Sequence, residues 1–372
     1  MTKEYYIGLM SGTSIDGIDA GLYDLSGKRP RVVDFYYQPF SQQIKQQIHK
    51  LCNNHLTVSL LNYGELDHQL GLLYAEACLK LLHQAKVNAN DVTAIGNHGQ
   101  TIFHSPNSNF PFTLQIGDAN IISQKTGITT ITDFRRRDIA AGGQGAPLVP
   151  TFHQAMFQSD KENRVIINIG GIANLTILPK DTQGTILGFD TGPGNTLMDH
   201  WISEHQSRYY DNNGEWAATG NIQSELLKQM KKDAYFSKPP PKSTGTDYFS
   251  STWLTKILAN QATTAYLPED VQRTLCQLTA ETIADAIQQF APETDQIFVC
   301  GGGTYNKSLR IALERLLNHA IASTETQGVP PDQVEAMAFS WLAKRTLEGL
   351  TGNLPETTGA KQAVILGGIY QA

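Results

Sequence analysis

The sequence predicts an α/β protein built from two domains of the same fold. Its 372 residues are enough for about two domains of ordinary size, each with a substantial core. Short apolar runs typical of strands alternate with stretches of helical periodicity. A strand, a glycine-containing turn and a second strand occur at residues 5–23 and again at 164–178. We therefore predict domains over 1–160 and 161–372, with the alternative that the C-terminal segment packs back onto the first domain.

The composition argues against several classes of protein. Hydrophobic residues make up 40% of the chain and charged residues 17%, as in globular rather than disordered proteins. A net charge of −6 argues against a nucleic-acid-binding surface. No apolar run approaches the roughly 20 residues that cross a bilayer, and the chain begins without a signal peptide, so we expect a cytoplasmic protein with no membrane partner. The four cysteines lack the spacing of a zinc site and suggest no disulfide framework.

Each element of the first half is predicted from its residue period. Apolar or alternating stretches predict strands over residues 5–10, 17–23, 31–38, 92–96 and 128–131. Helical spacing of apolar residues predicts helices over residues 41–52, 58–86 and 118–125.

The turn of the first hairpin, Ser11-Gly-Thr-Ser14, is small and rich in hydroxyl groups. Gly12 can adopt backbone angles closed to other residues, so that successive N–H groups can converge on an anion. The hydroxyls of Ser11, Thr13 and Ser14 add donors, and Asp16 can hold a metal ion or its waters. We expect a phosphate-binding hairpin; the alternative is an ordinary glycine-rich turn.

A polar cluster, Asn97-His-Gly-Gln-Thr101, follows the strand predicted at 92–96. Open α/β sheets bind ligands at the carboxyl ends of their strands, which makes this cluster a candidate ligand site. The alternative for His98 is a histidine that is hydrogen-bonded for structure. His98 and His104 lack the spacing of a metal-binding helical pair and no third ligand lies nearby in sequence, so a zinc enzyme is not predicted.

Three consecutive arginines, Arg135 to Arg137, stand between Asp133 and Asp138 and precede a glycine-rich loop. Guanidinium groups bind carboxylates and phosphates in a bidentate manner. We expect Arg135 to be functional and its two neighbours to be solvated; the alternative is a solvated charge run throughout.

The second half is predicted to begin with the hairpin at 164–178 and a strand that runs into Asp190. Further strands are predicted at 295–300 and 364–366, and helices from about 195 and over 271–290, 307–317 and 331–350.

Asp190 is the candidate general base of the second half. It ends a predicted strand, and glycines and a proline separate it from a helix that starts near Asn195. A carboxylate on a rigid strand end beside a helix N-terminus suits a base near a phosphate, although a turn or capping aspartate is the alternative.

The strand predicted at 295–300 is followed by a glycine-rich turn. Such a turn lets the backbone approach a flat or anionic ligand closely, and simple packing is the alternative. No Walker A loop and no G-x-G-x-x-G after a strand occurs.

Taken together, the motifs are similar to those of the anhydro-N-acetylmuramic acid kinases. The matching segments are Gly8-Leu-Met-Ser-Gly-Thr-Ser-Ile-Asp-Gly-Ile-Asp19, Asn97-His-Gly-Gln-Thr101, Asp133-Phe-Arg135, Gly188-Phe-Asp-Thr-Gly-Pro-Gly-Asn195, Gly301-Gly-Gly-Thr-Tyr-Asn306, Glu335-Ala-Met-Ala-Phe339 and Gly352-Asn-Leu-Pro355. They occur in order along essentially the whole chain. Trp341 and Thr351 depart from otherwise matching motifs, and neither replaces a residue with a chemical role. The resemblance implies the actin/Hsp70/hexokinase fold, a duplicated ribonuclease H-like fold with an ATP cleft between its domains.

The resemblance also implies a reaction. Such a kinase opens the 1,6-anhydro ring of anhydro-N-acetylmuramic acid with water and phosphorylates O6 from ATP, giving N-acetylmuramic acid 6-phosphate and ADP in peptidoglycan amino-sugar recycling. Asp190 would be the general base, Glu335 would support it or contact the sugar, and Asp16 would bind Mg²⁺ directly or through water. The implied sugar contacts are His98, Gln100, Arg135 and Asp138. The implied ATP contacts are Gly12, Thr13, Ser14, Ile15, Asp16, Gly17, Ile18, Asp19, Gly170, Gly171, Gly192, Gly194, Asn195, Gly301, Gly302, Gly303 and Asn306.

Two other functions stay open at this point. One is a kinase of the same fold that acts on another sugar or on a carboxylate. The other is a non-enzymatic protein in which ATP hydrolysis only switches the conformation, as in Hsp70 or actin. The expected partners are the anhydro sugar and ATP, without nucleic acid or membrane, and the resemblance implies a homodimer.

Overall fold

The structure divides the chain into two compact units. A computed structural model describes residues 3–27, 29–53, 58–259 and 266–372. Unit 1 comprises Met1–Met156 and Gln333–Ala372, and unit 2 comprises Phe157–Asp332. The predicted second domain extended to the last residue, whereas the C-terminal segment belongs to unit 1 in the structure.

Strands and helices alternate through both units. The strands are β1 (Tyr5–Ser11), β2 (Gly17–Asp24), β3 (Arg31–Pro39), β4 (Val92–Ser105), β5 (Phe112–Ile116), β6 (Thr130–Thr132), β7 (Arg164–Ile169), β8 (Ile172–Leu178), β9 (Leu187–Pro193), β10 (Gln296–Cys300), β11 (Ile321–Ser323) and β12 (Gly368–Tyr370). The α-helices are α1 (Gln42–Asn53), α2 (Leu60–Ala85), α3 (Ala119–Thr126), α4 (Arg136–Ala140), α5 (Val149–Phe157), α6 (Thr196–Gln206), α7 (Ser224–Met230), α8 (Ser251–Ala259), α9 (Pro268–Phe290), α10 (Lys307–Leu317), α11 (Val334–Leu347) and α12 (Pro355–Thr358).

The sheets of the two units repeat one topology. Within the described residues, unit 1 has the strand order β12-β6-β4-β1-β2-β3, with β5 paired to β4, and unit 2 has the order β11-β10-β7-β8-β9. In each unit the first three strands form an antiparallel meander, and the next two core strands run parallel to the first. The predicted α/β class with a duplicated ribonuclease H-like sheet is therefore confirmed.

Helices pack against each sheet. In unit 1, Leu70, Tyr74 and Leu81 recur at helical spacing on α2, which packs against β2 and β3. In unit 2, α9 carries a long buried stripe that packs against β8 and β9, including Leu275 and Ile283. Each unit therefore has an apolar core of its own.

The C-terminal helix α11 belongs to unit 1 because it packs closely on β1 and β4. A Cβ atom built on Gly8 of β1 would overlap the carbonyl oxygen of Ala336, and one built on Gly96 of β4 would overlap that of Phe339. Both glycines thus let the backbone of α11 approach the sheet at a distance no side chain would allow.

The strand predicted at 92–96 is longer than expected. β4 continues through the polar residues to Ser105, pairing with β1 as far as Gln100 and then with β5. Gly99 has a φ of 76° where the strand changes partners, and the pairing with β1 shifts register there. The candidate ligand cluster therefore lies in the middle of a kinked strand and not after its end.

The closing strand predicted at 364–366 was wrong. Those residues are not in a strand, and β12 follows at Gly368–Tyr370, antiparallel to β6. The apolar pattern at 364–366 reflects burial of Leu366, whose carbonyl accepts a hydrogen bond from the Thr346 hydroxyl at 2.7 Å.

Candidate active site

The first hairpin turn in unit 1 presents an outward-facing polar tip. Thr13, Ser14 and Asp16 are exposed, whereas Ile15 between them is buried with a φ of 56°. A β-branched residue rarely adopts this left-handed conformation, and its burial anchors the strained tip to the core. The Ser11 hydroxyl is not a free donor, because it is buried and hydrogen-bonded to the hydroxyl of Tyr74.

Gly12 has open space beside it. A Cβ built on Gly12 would approach no protein atom closer than the Ser14 Oγ, at 3.9 Å. Gly17 differs, because a Cβ there would overlap the Gln38 carbonyl oxygen, and Ile18 is fully buried. Of the predicted ATP segment from Gly12 to Asp19, residues 12–14 and 16 form the accessible tip, and Asp19 on β2 is half-buried.

Asp16 is the candidate Mg²⁺ ligand. Its side chain is 62% exposed, and its Oδ1 lies 3.6 Å from the Lys45 Nζ. Within the described residues no cluster of three or more His, Cys, Asp or Glu side chains could hold a metal ion. A single accessible carboxylate still fits Mg²⁺, which proteins usually hold through one or two carboxylates together with substrate phosphates and water.

His98 and Arg135 form a hydrogen-bonded pair in unit 1. The Arg135 Nε donates to the His98 Nε2 at 2.9 Å, and because a guanidinium can only donate, Nε2 must be unprotonated. The His98 Nδ1 lies 2.6 Å from the Gly99 carbonyl oxygen and is therefore the N–H of a neutral ring. Burial and the charge of Arg135 lower the pKa of His98 well below 6.5, in agreement with this tautomer.

Glu335 completes the charge arrangement around Arg135. It lies in the first turn of α11, where Phe339, one turn further on, packs against the His98 ring at a centroid distance of 4.7 Å. Burial raises the pKa of Glu335, and the nearby Arg135 charge opposes that rise. Burial lowers the pKa of Arg135 to about 10, so the guanidinium stays charged at neutral pH.

Gln100 links this pair to the hairpin turn. Its Nε2 donates to the Gly12 carbonyl oxygen at 3.3 Å. Its Oε1 is buried and has no hydrogen-bond partner among the described residues. Unit 1 thus gathers Gly12, His98, Gln100, Arg135 and Glu335, although the chain separates them widely.

Asp138, also predicted as a sugar contact, has both carboxylate oxygens in hydrogen bonds to the protein. It is fully buried, and its Oδ2 accepts a hydrogen bond from the Gly145 N–H at 2.7 Å. Its Oδ1 accepts from Asn353 Nδ2 at 2.6 Å and from Thr358 Oγ1 at 2.7 Å. Because the Gly145 carbonyl in turn accepts from Arg135 Nη1 at 2.8 Å, Asp138 positions Arg135 and does not present an oxygen to a ligand.

The other two arginines of the run are exposed. Arg136 forms an ion pair with Asp133 at 2.7 Å, and Arg137 faces solvent. Of the three arginines, Arg135 is the one that lies beside His98.

Three glycine turns meet at one end of the sheet in unit 2. The Asn195 N–H donates to the Gly170 carbonyl at 2.8 Å, and the Gly194 N–H donates to the Gly171 carbonyl at 2.9 Å. The turn after β10 packs on the same place, because a Cβ on Gly303 would overlap the side chain of Ile169.

Two glycines in these turns have free space. A Cβ on Gly302 would find only Asn195 Nδ2 at 3.8 Å, and one on Gly170 only the Ile172 carbonyl oxygen at 3.7 Å. Protein packing therefore does not require a glycine at either position, and the backbone there has room beside it.

Two further predicted ATP contacts, Asn306 and Gly192, have structural partners. Asn306 caps α10, since its side chain accepts from the Leu309 N–H at 3.0 Å. Gly192 has a φ of 152°, and a Cβ on it would lie 2.7 Å from the Phe236 ring.

Asp190 lies inside β9, at the edge of the sheet in unit 2. Its Oδ2 accepts a hydrogen bond from the Thr244 N–H at 2.9 Å. Its Oδ1 has no hydrogen-bond partner among the described residues. Burial raises the pKa of Asp190 to about 7, although the Thr244 N–H and the charge of Lys242 both lower it. A carboxyl group with this pKa can both accept and release a proton near neutral pH.

The residues that surround Asp190 were missed by the sequence analysis. Lys242 and Thr244 lie in a proline-rich segment, 237–246, for which the sequence indicates only a surface loop, and Tyr235 lies just before it. Neither hydrophobic periodicity nor a motif marks them, because their contacts with Asp190 span between 45 and 54 residues of sequence.

Comparison with known proteins identifies the family. The family model described as "Anhydro-N-acetylmuramic acid kinase" matches residues 4–372. The anhydro-N-acetylmuramic acid kinase of Pasteurella multocida is 50% identical over 369 residues, which cover 98% of this chain and 96% of that protein. The protein of the same name from Aliivibrio fischeri is 47% identical over 371 residues, which cover 99% of this chain and all of that protein (100%).

The chain is therefore an enzyme, a phosphotransferase. It belongs to the anhydro-N-acetylmuramic acid kinase family. Membership of a kinase family agrees with the predicted use of ATP. Among the helices of the described residues, none has both the length and the apolar character that a membrane span requires.

Proposed function

We propose that this enzyme opens the 1,6-anhydro ring of anhydro-N-acetylmuramic acid with water and transfers the γ-phosphoryl group of ATP to O6. The products are N-acetylmuramic acid 6-phosphate and ADP. Family membership supports the substrate, and the carboxyl group of Asp190, with one unpartnered oxygen and a pKa raised to about 7, supports the hydrolytic step.

Asp190 is the proposed general base for the attacking water. A proton moves from water to the Asp190 carboxylate while the water oxygen bonds to the anomeric carbon and the bond between that carbon and O6 breaks. The freed O6 attacks the γ-phosphorus of ATP, and the bond to the ADP oxygen breaks. Hydrolysis thereby supplies the nucleophile for phosphoryl transfer, which otherwise depends on positioning and charge neutralisation.

The polar side chains that lie together in unit 1 are the proposed sugar site, namely His98, Gln100, Arg135 and Glu335. Two nitrogens of Arg135 are held, Nε by His98 and Nη1 by Gly145, while Nη2 has no hydrogen-bond partner among the described residues. We assign Arg135 to the lactyl carboxylate, because a fixed guanidinium binds a carboxylate with defined geometry. Gln100 Oε1 and the Glu335 carboxylate are the proposed acceptors for hydroxyl or amide groups of the sugar.

The accessible turns are the proposed ATP contacts. Residues 12–14 of unit 1 are assigned to the terminal phosphates, and Gly170 and Gly302 of unit 2 to close backbone contact with the nucleotide. Asp16 would hold Mg²⁺, directly or through water, and the bound ion would neutralise phosphate charge. The glycines with packing roles, such as Gly17 and Gly194, shape these turns.

The physiological setting is part of the proposal. An anhydro amino sugar of this kind arises from peptidoglycan, so we place the enzyme in cell-wall amino-sugar recycling. We also retain a cytoplasmic location and a homodimer as proposals, which fractionation and sedimentation equilibrium would test.

A coupled assay of ADP release tests the function. The wild-type enzyme is expected to release ADP with ATP and the anhydro sugar, and not with N-acetylmuramic acid or an ordinary hexose in its place. Water labelled with oxygen-18 should label the anomeric hydroxyl of the product and leave the phosphate unlabelled. Preference for a sugar without the anhydro bridge would assign the enzyme to a different kinase activity.

Asp190→Asn tests the role of the base. We expect turnover to fall by roughly 10²–10⁴-fold, because the variant cannot take the proton from water, while the KM for ATP changes little. Glu281→Gln is a control, since Glu281 lies in a half-buried ion pair of the same unit with Lys231. Full turnover by Asp190→Asn would contradict the mechanism.

A further inference from the structure

The segment 235–244 binds Asp190 through three separate groups, and we call this segment the arm. The Asp190 N–H donates to the Lys242 carbonyl at 3.0 Å. The Tyr235 hydroxyl donates to the Asp190 carbonyl at 2.8 Å, and the Thr244 N–H donates to Oδ2 at 2.9 Å. β9 is the edge strand of its sheet, so the arm occupies the side of Asp190 that no strand covers.

The arm places one positive charge next to Asp190. Lys242 Nζ lies 4.9 Å from the centre of the Tyr235 ring and donates to the Phe236 carbonyl at 3.3 Å. Lys238 Nζ lies 5.6 Å from the same ring but is exposed to solvent. On the neighbouring strand β8, the residue opposite Asp190 is the uncharged Asn174. Lys242 and Tyr235 are the titratable side chains of the arm that interact electrostatically with Asp190.

The arm is fastened to unit 2 at its N-terminal end. Asp233, just before it, accepts hydrogen bonds from the Tyr248 hydroxyl and from Trp253 Nε1, both at 2.8 Å. The rings of Phe236 and Phe249 stack at a centroid distance of 5.5 Å, and Phe249 is fully buried. The contacts with Asp190 thus come from a packed segment.

We propose that the arm is a positioning element for the ring-opening step, an inference that rests on the proposed function of Asp190. Tyr235 and Thr244 fix the backbone and one carboxylate oxygen of Asp190, which leaves Oδ1 to take the proton from water. Lys242 keeps the carboxylate ionised in surroundings that otherwise favour its protonated form.

Lys242→Met, compared with Lys238→Met in the full-length enzyme, tests the electrostatic part. Both lysines lie over Tyr235, and only Lys242 acts on Asp190. We expect Lys242→Met to shift the acidic limb of the kcat–pH profile upward by roughly one pH unit, because the ionised base loses a neighbouring positive charge. Lys238→Met should leave the limb in place, and the KM for ATP should be similar in all three enzymes.

A direct titration separates this inference from the proposed function. The pKa of the Asp190 carboxyl can be followed by carbon-13 NMR, with Asp190→Asn identifying the signal. Lys242→Met should raise it, whatever the role of Asp190 in turnover. An unchanged NMR titration would overturn the electrostatic role of Lys242. A shifted titration with an unmoved kcat–pH profile would overturn the catalytic role of the arm.

Tyr235→Phe tests the geometric part. The variant keeps the ring beneath the lysines and removes the hydroxyl that holds the Asp190 carbonyl. We expect kcat to fall about tenfold, with an unchanged KM for both substrates and an unchanged NMR signal of folded protein. Equal kcat in variant and wild type would overturn the positioning role of Tyr235.

Discussion

The ionised carboxylate of Asp190, which the proposed mechanism requires, lowers the stability of the folded protein. Burial raises the pKa of its carboxyl from 3.8 to about 7. Because the folded state then binds the proton more tightly than the unfolded chain, this group favours folding most below pH 4, and that contribution is lost as the pH rises through 7. The ionised form that accepts a proton from water is the form that the fold tolerates least.

Replacement of Asp190 by Asn should therefore stabilise the protein while it lowers turnover. We expect the free energy of unfolding to exceed that of the wild type by on the order of 2 kcal/mol at pH 8, because no charge is then buried. The gain should shrink as the pH falls from 7 towards 4. Urea denaturation at several pH values measures it.

Asp233→Asn is the matched control, and its expected effect has the opposite sign. Although loss of solvation acts to raise the pKa of Asp233, hydrogen bonds from Trp253, Tyr235 and Tyr248 outweigh it and lower the pKa. The ionised form therefore contributes stability that is lost as the pH falls, and the variant should be less stable at pH 8 by about 1 kcal/mol. Equal pH dependence of the two variants would contradict this account.

At the level of single residues, the sequence predicted the identity of the polar groups better than their roles. His98, Gln100 and Arg135 do lie together. Asp138 and Asn306 carry suitable functional groups, but both carboxylate oxygens of Asp138 and the Oδ1 of Asn306 already accept hydrogen bonds within the protein. Which of these cases applies depends on distant partners such as Asn353, which bonds to Asp138 across 215 residues of sequence.

Glycine turns at the strand ends serve two distinct purposes. Gly194 lies so close to the next turn that a Cβ would overlap the Gly170 carbonyl oxygen. Gly302 and Gly12 have no such neighbour. The first kind of glycine holds the turns together, and the second leaves the backbone open to a ligand.

Two alanine substitutions should separate these purposes. Gly302→Ala is expected to raise the KM for ATP several-fold with an unchanged free energy of unfolding, since the new Cβ meets no protein atom closer than 3.8 Å. Gly194→Ala should lower the free energy of unfolding by roughly 1–3 kcal/mol because the turns must move apart. ATP titration by calorimetry and urea denaturation give the two readouts.

The opposite pattern would contradict the assignment. If Gly302→Ala bound ATP like the wild type, the open space at that turn would not be a nucleotide contact. If Gly194→Ala were as stable as the wild type, close packing of the turns would not explain that glycine.

Elements with strong periodicity were predicted well. The helix expected at 307–317 matches α10, and both hairpins lie where they were expected. β5, α7 and α8 were missed because they are short, and a few residues do not define a period. β4 was cut short because its polar residues 97–101 interrupt the apolar pattern, although the strand continues through them and residues 97–100 are buried.

At the scale of the whole molecule, the two segments of unit 1 flank unit 2 in the sequence. Unit 1 is therefore discontinuous, and unit 2 is one continuous segment. The apolar core of unit 2 lies entirely between Val165 and Ile321. Unit 1 instead needs α11, which covers the glycine surface of β1 and β4 at Gly8 and Gly96. The sequence offered this return of the chain only as an alternative, because the α11 pattern does not specify which sheet it packs against.

Fragments should differ in their ability to fold. We expect the chain 157–332 alone to unfold in a single cooperative urea transition, since its core is complete. The chain 1–156 alone should show no cooperative transition, because the surface of β1 and β4 that α11 covers would be exposed. Joining 1–156 to 333–372 through a short flexible linker should restore cooperativity; cooperative unfolding of 1–156 by itself would contradict this.

The position of α11 also affects the order of events on the ribosome. Proteins made from successive domains usually complete the N-terminal one first. Here the sheet that begins with Tyr5 cannot be completed until Gln333–Ala372 has emerged from the ribosome. By that time the whole of unit 2 has been synthesised. During translation, β1 and β4 are therefore synthesised early but stay uncovered until α11 has been made. We expect trigger-factor-like chaperones to bind these strands during that interval.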